Sequence, residues 1–314
     1  MKKVFFIILA VCMAVSCATK KYENPHSDPE VTLTMPELYT PDLEDPNNTT
    51  PIQIAVKHPV PIKEWSIEVQ PIRRQQNQQQ GEQAGQAGRG QRQDGQRQTG
   101  DQQRERQPRR EGSEPRQRRV FFQTSGHGAP PKSWVWDGRG TSGELVQSAT
   151  DYNMTLSVTD EFDNGSTVEG TISVGIIVRR DGDDFRMAVP SIVFPPNSGD
   201  FALLSDEDMR SNRRVLNLIA RALNRFNDYA IKIEGHANPT TAPNTAQRTN
   251  EETRELKPLS ETRARAVMNY LVTTSGIAQS RLSVTGIGGE RTVAEYDNDE
   301  ENWKNRRVEF ILHK

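Results

Sequence analysis

The chain has 314 residues, 33% of them hydrophobic and 26% charged, which is long enough for two modest domains but thin in apolar content for one large core. Its formal charge is −2, from 40 Lys and Arg against 42 Asp and Glu, so no whole-molecule field draws it to nucleic acid or to an anionic membrane. The two cysteines, Cys12 and Cys17, both lie near the start, which excludes disulfides and Cys-based metal or nucleophile chemistry from the rest.

In chain order, Lys2 and Lys3 precede an apolar run from Val4 to Val15 that is too short for a bilayer, the layout of a secretory leader. Ala14-Val15-Ser16-Cys17 resembles a bacterial lipobox, with Ala14 where Leu is usual. The resemblance implies a signal peptide at 1–16, cleavage before Cys17 and diacylation of its thiol; an ordinary leader with an incidental Cys is the alternative. Because Ala18 is not Asp, the implied destination is the outer membrane, facing the periplasm. Acyl chains contribute ~0.8 kcal/mol per buried methylene, and two hold a protein stably. Residues 17–29, polar and containing Pro, read as a tether.

Residues 30–178 predict an antiparallel β-sandwich. IQIAVKH (52–58) and EWSIEVQ (64–70) alternate with period two, and RVFFQT, SWVWDG, YNMTLSVTD and STVEGTISVGIIV follow with turn signals such as Asp163-Asn164-Gly165. YTPDLEDPNN, the Trp65 strand, WDGRGTSGELV and DYNMTLSVTDEFDNG make this region similar to the immunoglobulin-like modules of flagellar-hook capping proteins and other bacterial surface proteins. Nothing catalytic comes with that resemblance. A Gln/Arg/Gly-rich block at 73–119 interrupts the strands; its composition is too poor in apolar residues to fold. As an enlarged hairpin loop it costs only ~2 kcal/mol in closure entropy. It is locally basic, but it lacks aromatic residues for stacking bases, and no nucleic-acid partner is expected.

After a linker at 179–184, residues 185–314 alternate strand and helix signals. VPSIVFPPN predicts a first strand. SDEDMRSNRRVLNLIARALNRF predicts a helix capped by Ser205, with Leu216, Ile219, Leu223 and Phe226 on one stripe. AIKIEG is a second strand. SETRARAVMNYLVTTSG is a second helix with Ser260 as its cap and Gly276 at its stop. RLSVTGIGG and RRVEFILHK complete a β-α-β-α-β-β order, a two-layer α/β domain with a mixed sheet and both helices on one side.

IKIEGHAN, PLSETRARAVMNYL, RLSVTGIGG and WKNRRVEFIL stand in the order of the OmpA-like C-terminal domain, which this region resembles over about its last 130 residues. That resemblance implies noncovalent binding of the peptidoglycan stem peptide, with an Asp taking the ammonium of its diamino acid and a helix Arg taking the carboxylate. The Arg falls on Arg263, whose guanidinium suits a carboxylate bidentately. Read as a first-turn residue, this cation opposes the helix dipole by ~0.3–1 kcal/mol, so something else must favour it there. The Asp position falls on Asn238, which is neutral, and Leu256 stands where the family often has Asn. Glu251, Glu252 and Glu255 in the long loop 238–258 are possible substitutes for the missing acid, or plain solvated charges.

Further implied site residues are Arg307 beside the ligand, Asn305 ordering the loop before the last strand, and Asn197 in FPPNSGDF. By parity Val308, Phe310 and Leu312 share one face of that strand and Arg307, Glu309 and Ile311 the other. His236 is expected to pack or hydrogen-bond behind the loop, with no metal site, since the five histidines are scattered. No nucleophile–base pair, carboxylate dyad or phosphate loop is visible, so the expectation is a non-catalytic envelope protein without cofactors. Peptidoglycan and the outer membrane are its expected partners, along with other envelope proteins through the sandwich. A scaffold or surface adhesin whose OmpA-like domain has lost its ligand is the alternative.

Overall fold

The computed structural model describes residues 21–45, 47–72 and 120–314. The leader, Cys17 and the 73–119 insertion lie outside the described residues, and with them the expectations of export, lipidation and a basic loop.

Period-two alternation builds the first half. Strand β3 (Thr50–Lys57) buries Ile52 and Ile54, and β4 (Ile62–Pro71) buries Ile67 and Val69, because every second side chain of a strand meets the same face. β1 (Glu30–Thr34) and β6 (Ser133–Trp136) flank β3 in a three-stranded sheet. A five-stranded sheet runs β2 (Leu38–Tyr39), β8 (Gly165–Val174), β7 (Asp151–Asp160), β4 and β5 (Phe122–His127). Pairing is antiparallel throughout except between β2 and β8. Trp136, Tyr152, Met154, Leu156 and Ile172 lie in the core that the two sheets share, each worth roughly 1.5–3 kcal/mol of burial. The buried indole of Trp136 keeps its polarity satisfied by donating from Nε1 to the Arg139 carbonyl at 2.9 Å.

The second half departs from expectation at its first strand. Residues 179–184, expected as a linker, form β9 (Arg179–Asp181) and the first residue of β10 (Asp184–Val189), joined through Gly182 at φ +65°. VPSIVFPPN, expected as a strand, gives only Val189 to β10 and otherwise follows it. Pro190 ends the pairing, and the Val193 backbone is satisfied by the fully buried Asn212 side chain. Asn212 Oδ1 accepts from Val193 N at 2.9 Å, and its Nδ2 donates to Val193 O at 2.8 Å. A helix carboxamide thus substitutes for a strand neighbour.

β11 (Ala230–His236), β12 (Leu282–Gly288) and β13 (Val308–His313) complete a sheet of order β12-β11-β13-β10-β9, parallel only between β11 and β12. Helix α1 (Asp206–Leu223) is capped as expected, Ser205 Oγ accepting from Asp208 N at 3.1 Å. Leu216, Ile219 and Leu223 are buried against the sheet, while Phe226, beyond the helix end, packs on Phe185 at 5.0 Å between centroids. The loop expected at 238–258 contains helix α2 (Ala246–Glu251), which continues through a single π-helical turn (Glu252–Leu256) into α3 (Lys257–Thr273).

Ser260 is therefore not a cap. It sits inside α3, where its Oγ donates to Lys257 O at 3.0 Å and accepts from Gly288 N at 2.9 Å. Both long helices pack on one sheet face in a single core with Met187, Ile231, Ile233, Val308, Phe310 and Leu312. Gly235 is required for that packing, because any Cβ there would strike the Ser260 carbonyl. Among the described residues no helix is long and apolar enough to cross a membrane.

Candidate functional site

Arg263 rises from the second turn of α3, the face that Gly235 allows close to the sheet. Because helical structure runs from Ala246 up to and through this point, Arg263 does not occupy a first turn, and the dipole argument for its use falls away. Its placement argues more directly. The turn Pro195-Pro196-Asn197-Ser198, closed by Ser198 N donating to Pro195 O at 3.3 Å, places Pro196 second and Asn197 third, with φ +50° at Asn197. That is the arrangement in which Pro fixes one φ and Asn tolerates the left-handed one.

The turn aims two carbonyls at the guanidinium. Arg263 Nε donates to Ser198 O at 3.2 Å and Nη2 to Pro195 O at 3.4 Å, while its Cζ sits 5.2 Å from the Phe194 ring centroid. Gly199 permits this approach, since a Cβ would lie 2.7 Å from the Thr262 carbonyl. No carboxylate among the described residues pairs with Arg263; its partners there are the two carbonyls and the ring. Burial, and then the neighbouring Arg306, lower its pKa to about 10, leaving it cationic at neutral pH. An oriented, half-buried guanidinium with spare N–H groups and no anion is a receptor for one.

Asn238 and Asn305 form a second group. Asn238 Nδ2 donates to Pro239 O and Tyr296 O, both at 3.0 Å, and its Oδ1 accepts from Asn305 Nδ2 at 2.8 Å. Asn305, fully buried, also gathers the loop ahead of β13: Val293 N and Ala294 N donate to its Oδ1 at 2.7 and 3.0 Å. Asn238 thus works as a loop staple with both donors committed, and one lone pair of Oδ1 is left for a ligand. Glu251 accepts from the backbone and hydroxyls of Thr240 and Thr241, and Glu252 holds Arg248 at 3.0 Å and Gly289 N at 2.9 Å. These two acids build the loop, and Glu255 is exposed.

Arg307 does not join Arg263. It lies on the sheet face away from the helices, 6% exposed, with Nε donating to Glu309 Oε1 at 2.6 Å and Nη2 to Arg291 O at 3.1 Å. Its neighbour Arg306, which sequence reading passed over, is half-buried and close enough to depress the pKa of Arg263. The signal was present, because adjacent residues entering a strand point to opposite faces and Val308 marks the helix face.

Glu234, His236 and Glu309 bring three ligand atoms within 4.8 Å of one another on the outer face. Arg291 at 2.9 Å and Lys232 at 2.8 Å already neutralise Glu234, and Arg186 at 2.7 Å and Arg307 at 2.6 Å neutralise Glu309, so the local charge opposes a dication. Burial, and then Arg307, pull the His236 pKa down to about 4, which leaves the ring neutral near pH 7.

Residues 204–306 match the family model described as OmpA family. Among solved structures, the chain is 26% identical to a putative MotB-like protein from Desulfovibrio vulgaris, over 44% of this chain and 78% of that one, with a TM-score of 0.35. It is 20% identical to the periplasmic domain of Helicobacter pylori MotB, over 45% and 80%, with a TM-score of 0.35. It is 23% identical to the cell wall anchor of the T6SS from Pseudomonas aeruginosa, over 44% and 86%, with a TM-score of 0.32. No curated protein matches the chain.

Proposed function

We propose, from the premise that residues 204–306 form an OmpA-family domain, that this chain is a non-catalytic anchor that holds peptidoglycan noncovalently. Arg263 clasps a carboxylate of the stem peptide. The observation that carries this reading is the guanidinium itself, oriented by the Pro195 and Ser198 carbonyls and the Phe194 ring yet without an acid among the described residues. Arg306 adds positive charge beside it, and Asn197 presents an exposed carboxamide at the tip of the same turn. Asn238 and Asn305 shape the adjacent loops, and the remaining lone pair of Asn238 meets the ligand's ammonium. The carboxylate contact dominates, because the ammonium side has no charge opposite it.

Cys17 is the proposed lipidation site, tethering the outer membrane to the wall, and the two-sheet region, of immunoglobulin-like kinship, serves as spacer or docking surface for other envelope proteins. Pelleting with purified sacculi tests the anchor. The intact chain is expected in the pellet, and Arg263→Ala is expected to stay in the supernatant at the same protein concentration. Equal pelleting of the two would refute the site.

One observation favours a second reading. The engaged carboxamide of Asn238 also fits a scaffold or surface adhesin whose OmpA-family domain has lost its ligand. Protease added to intact cells separates the readings: cleavage within 73–119 requires exposure outside the cell and supports the scaffold, whereas protection supports the periplasmic anchor.

A further inference from the structure

A cleft of about 930 Å³ separates the helix-free face of the β12-β11-β13-β10-β9 sheet from the two-sheet region, with Glu144 on one wall and Arg307 on the other. Each carries a buried polar atom with no hydrogen-bond partner: Glu144 Oε2 and Arg307 Nη1. Buried orphans of this kind are rare and costly, and more so when charged. Here one atom belongs to an anionic side chain and the other to a cationic one, and both residues line the same cavity, whose volume is that of a small-ligand site.

The remaining charges are not equivalent. Glu309 is held by Arg186 and Arg307 at 2.7 and 2.6 Å, while Arg180 meets Glu44 only at 3.5 Å between exposed groups. Arg179, also on the cleft, is exposed. The rim therefore draws anions, and the interior offers one acceptor and one donor of opposite sign.

We infer that this cleft is a binding site for a short peptide with free termini, its ammonium received by Glu144 and its carboxylate by Arg307. A zwitterion supplies a partner for each orphan atom at once, whereas a simple anion would leave Glu144 Oε2 unpaired and a metal ion would leave Arg307 Nη1 so. The site is separate from the one built on Arg263, which lies on the helix-bearing side of the sheet.

Calorimetric titration of the full chain in detergent with trialanine tests this. Trialanine carries both termini and no diamino acid. Binding is expected with a dissociation constant below ~1 mM, and N-acetyl trialanine and trialanine amide are each expected to bind at least about tenfold more weakly. In Glu144→Gln, whose side chain matches in volume, the free peptide should fall to the affinity of the acetylated one and the acetylated one should not change. Absence of binding at ~10 mM, or equal affinity of free and acetylated peptides, would overturn the inference. A chain that binds sacculi but not trialanine, or the reverse, separates the fate of this cleft from that of Arg263.

Discussion

Arg263 and Asn238 show how one side chain's neighbours decide what it does. A guanidinium facing two carbonyls and an aromatic ring is positioned without being neutralised, so its charge stays available. Asn238 is the reverse case. Asp in its place would set a carboxylate against the Pro239 and Tyr296 carbonyls that now accept its N–H groups at 3.0 Å. We therefore expect Asn238→Asp to lose ~1–3 kcal/mol of stability in chemical denaturation. The position that sequence comparison marks as a defect is, in this chain, a donor site. Only the hydrogen-bond partners reveal that, because Tyr296 is 58 residues away along the chain.

At the scale of elements, the helix α1 was legible because its signals are local. Ser205, the acids Asp206, Glu207 and Asp208, and the spacing of Leu216, Ile219 and Leu223 all act within one helix. The start of α3 was not, because Pro258 and Ser260 imitate a helix opening. The chain instead enters from α2 through a π turn, and that wider turn accommodates the missing N–H of Pro258. The apolar run Ile192-Val193-Phe194 misled for another reason: its partner is Asn212, a contact that no periodicity encodes.

The contact between α3 and β11 gives a sharp test. Gly235→Ala must push α3 off the sheet, so it is expected to destabilise by about 1–3 kcal/mol and to weaken sacculus binding by moving Arg263. Unchanged melting would mean that the helix has room that the packing denies. Gly199→Ala sets a Cβ against the Thr262 carbonyl and the Arg263 backbone N of α3, so the turn and the helix must part; it is expected to reduce sacculus binding several-fold.

At the scale of the whole molecule, each half has its own core, but Ala149 and Ile176 of the first half are buried in the core of the second, and polar links add to that contact, among them Arg214 to Asp151 at 2.6 Å and Ser191 Oγ to Ser148 O at 3.3 Å. The first half also carries its own pH dependence. Asp160, fully buried, closes the β7–β8 turn by accepting from Phe162 N and Asn164 N at 2.8 and 2.9 Å, and it meets His58 Nε2 at 2.8 Å. Burial raises its pKa, but the bonds from Asn164, His58 and Phe162 outweigh that and hold it at about 2, below the unfolded value of roughly 3.9. A depressed carboxylate stabilises the fold above its unfolded pKa and loses that contribution as pH falls toward about 2. Asp160→Asn is accordingly expected to lower the melting temperature at pH 7 and to flatten its decline between about pH 4 and 2; a parallel decline in both proteins would contradict the assignment.

The central claim is that the Arg263 guanidinium recognises a carboxylate of the peptidoglycan peptide. Its most direct test is calorimetric titration of the intact chain with a soluble stem peptide and with the same peptide amidated at the diamino acid's free carboxylate. The account predicts that amidation weakens binding by at least about tenfold and that Arg263→Lys binds both forms equally poorly. Equal affinity of the unaltered chain for the two peptides would contradict it.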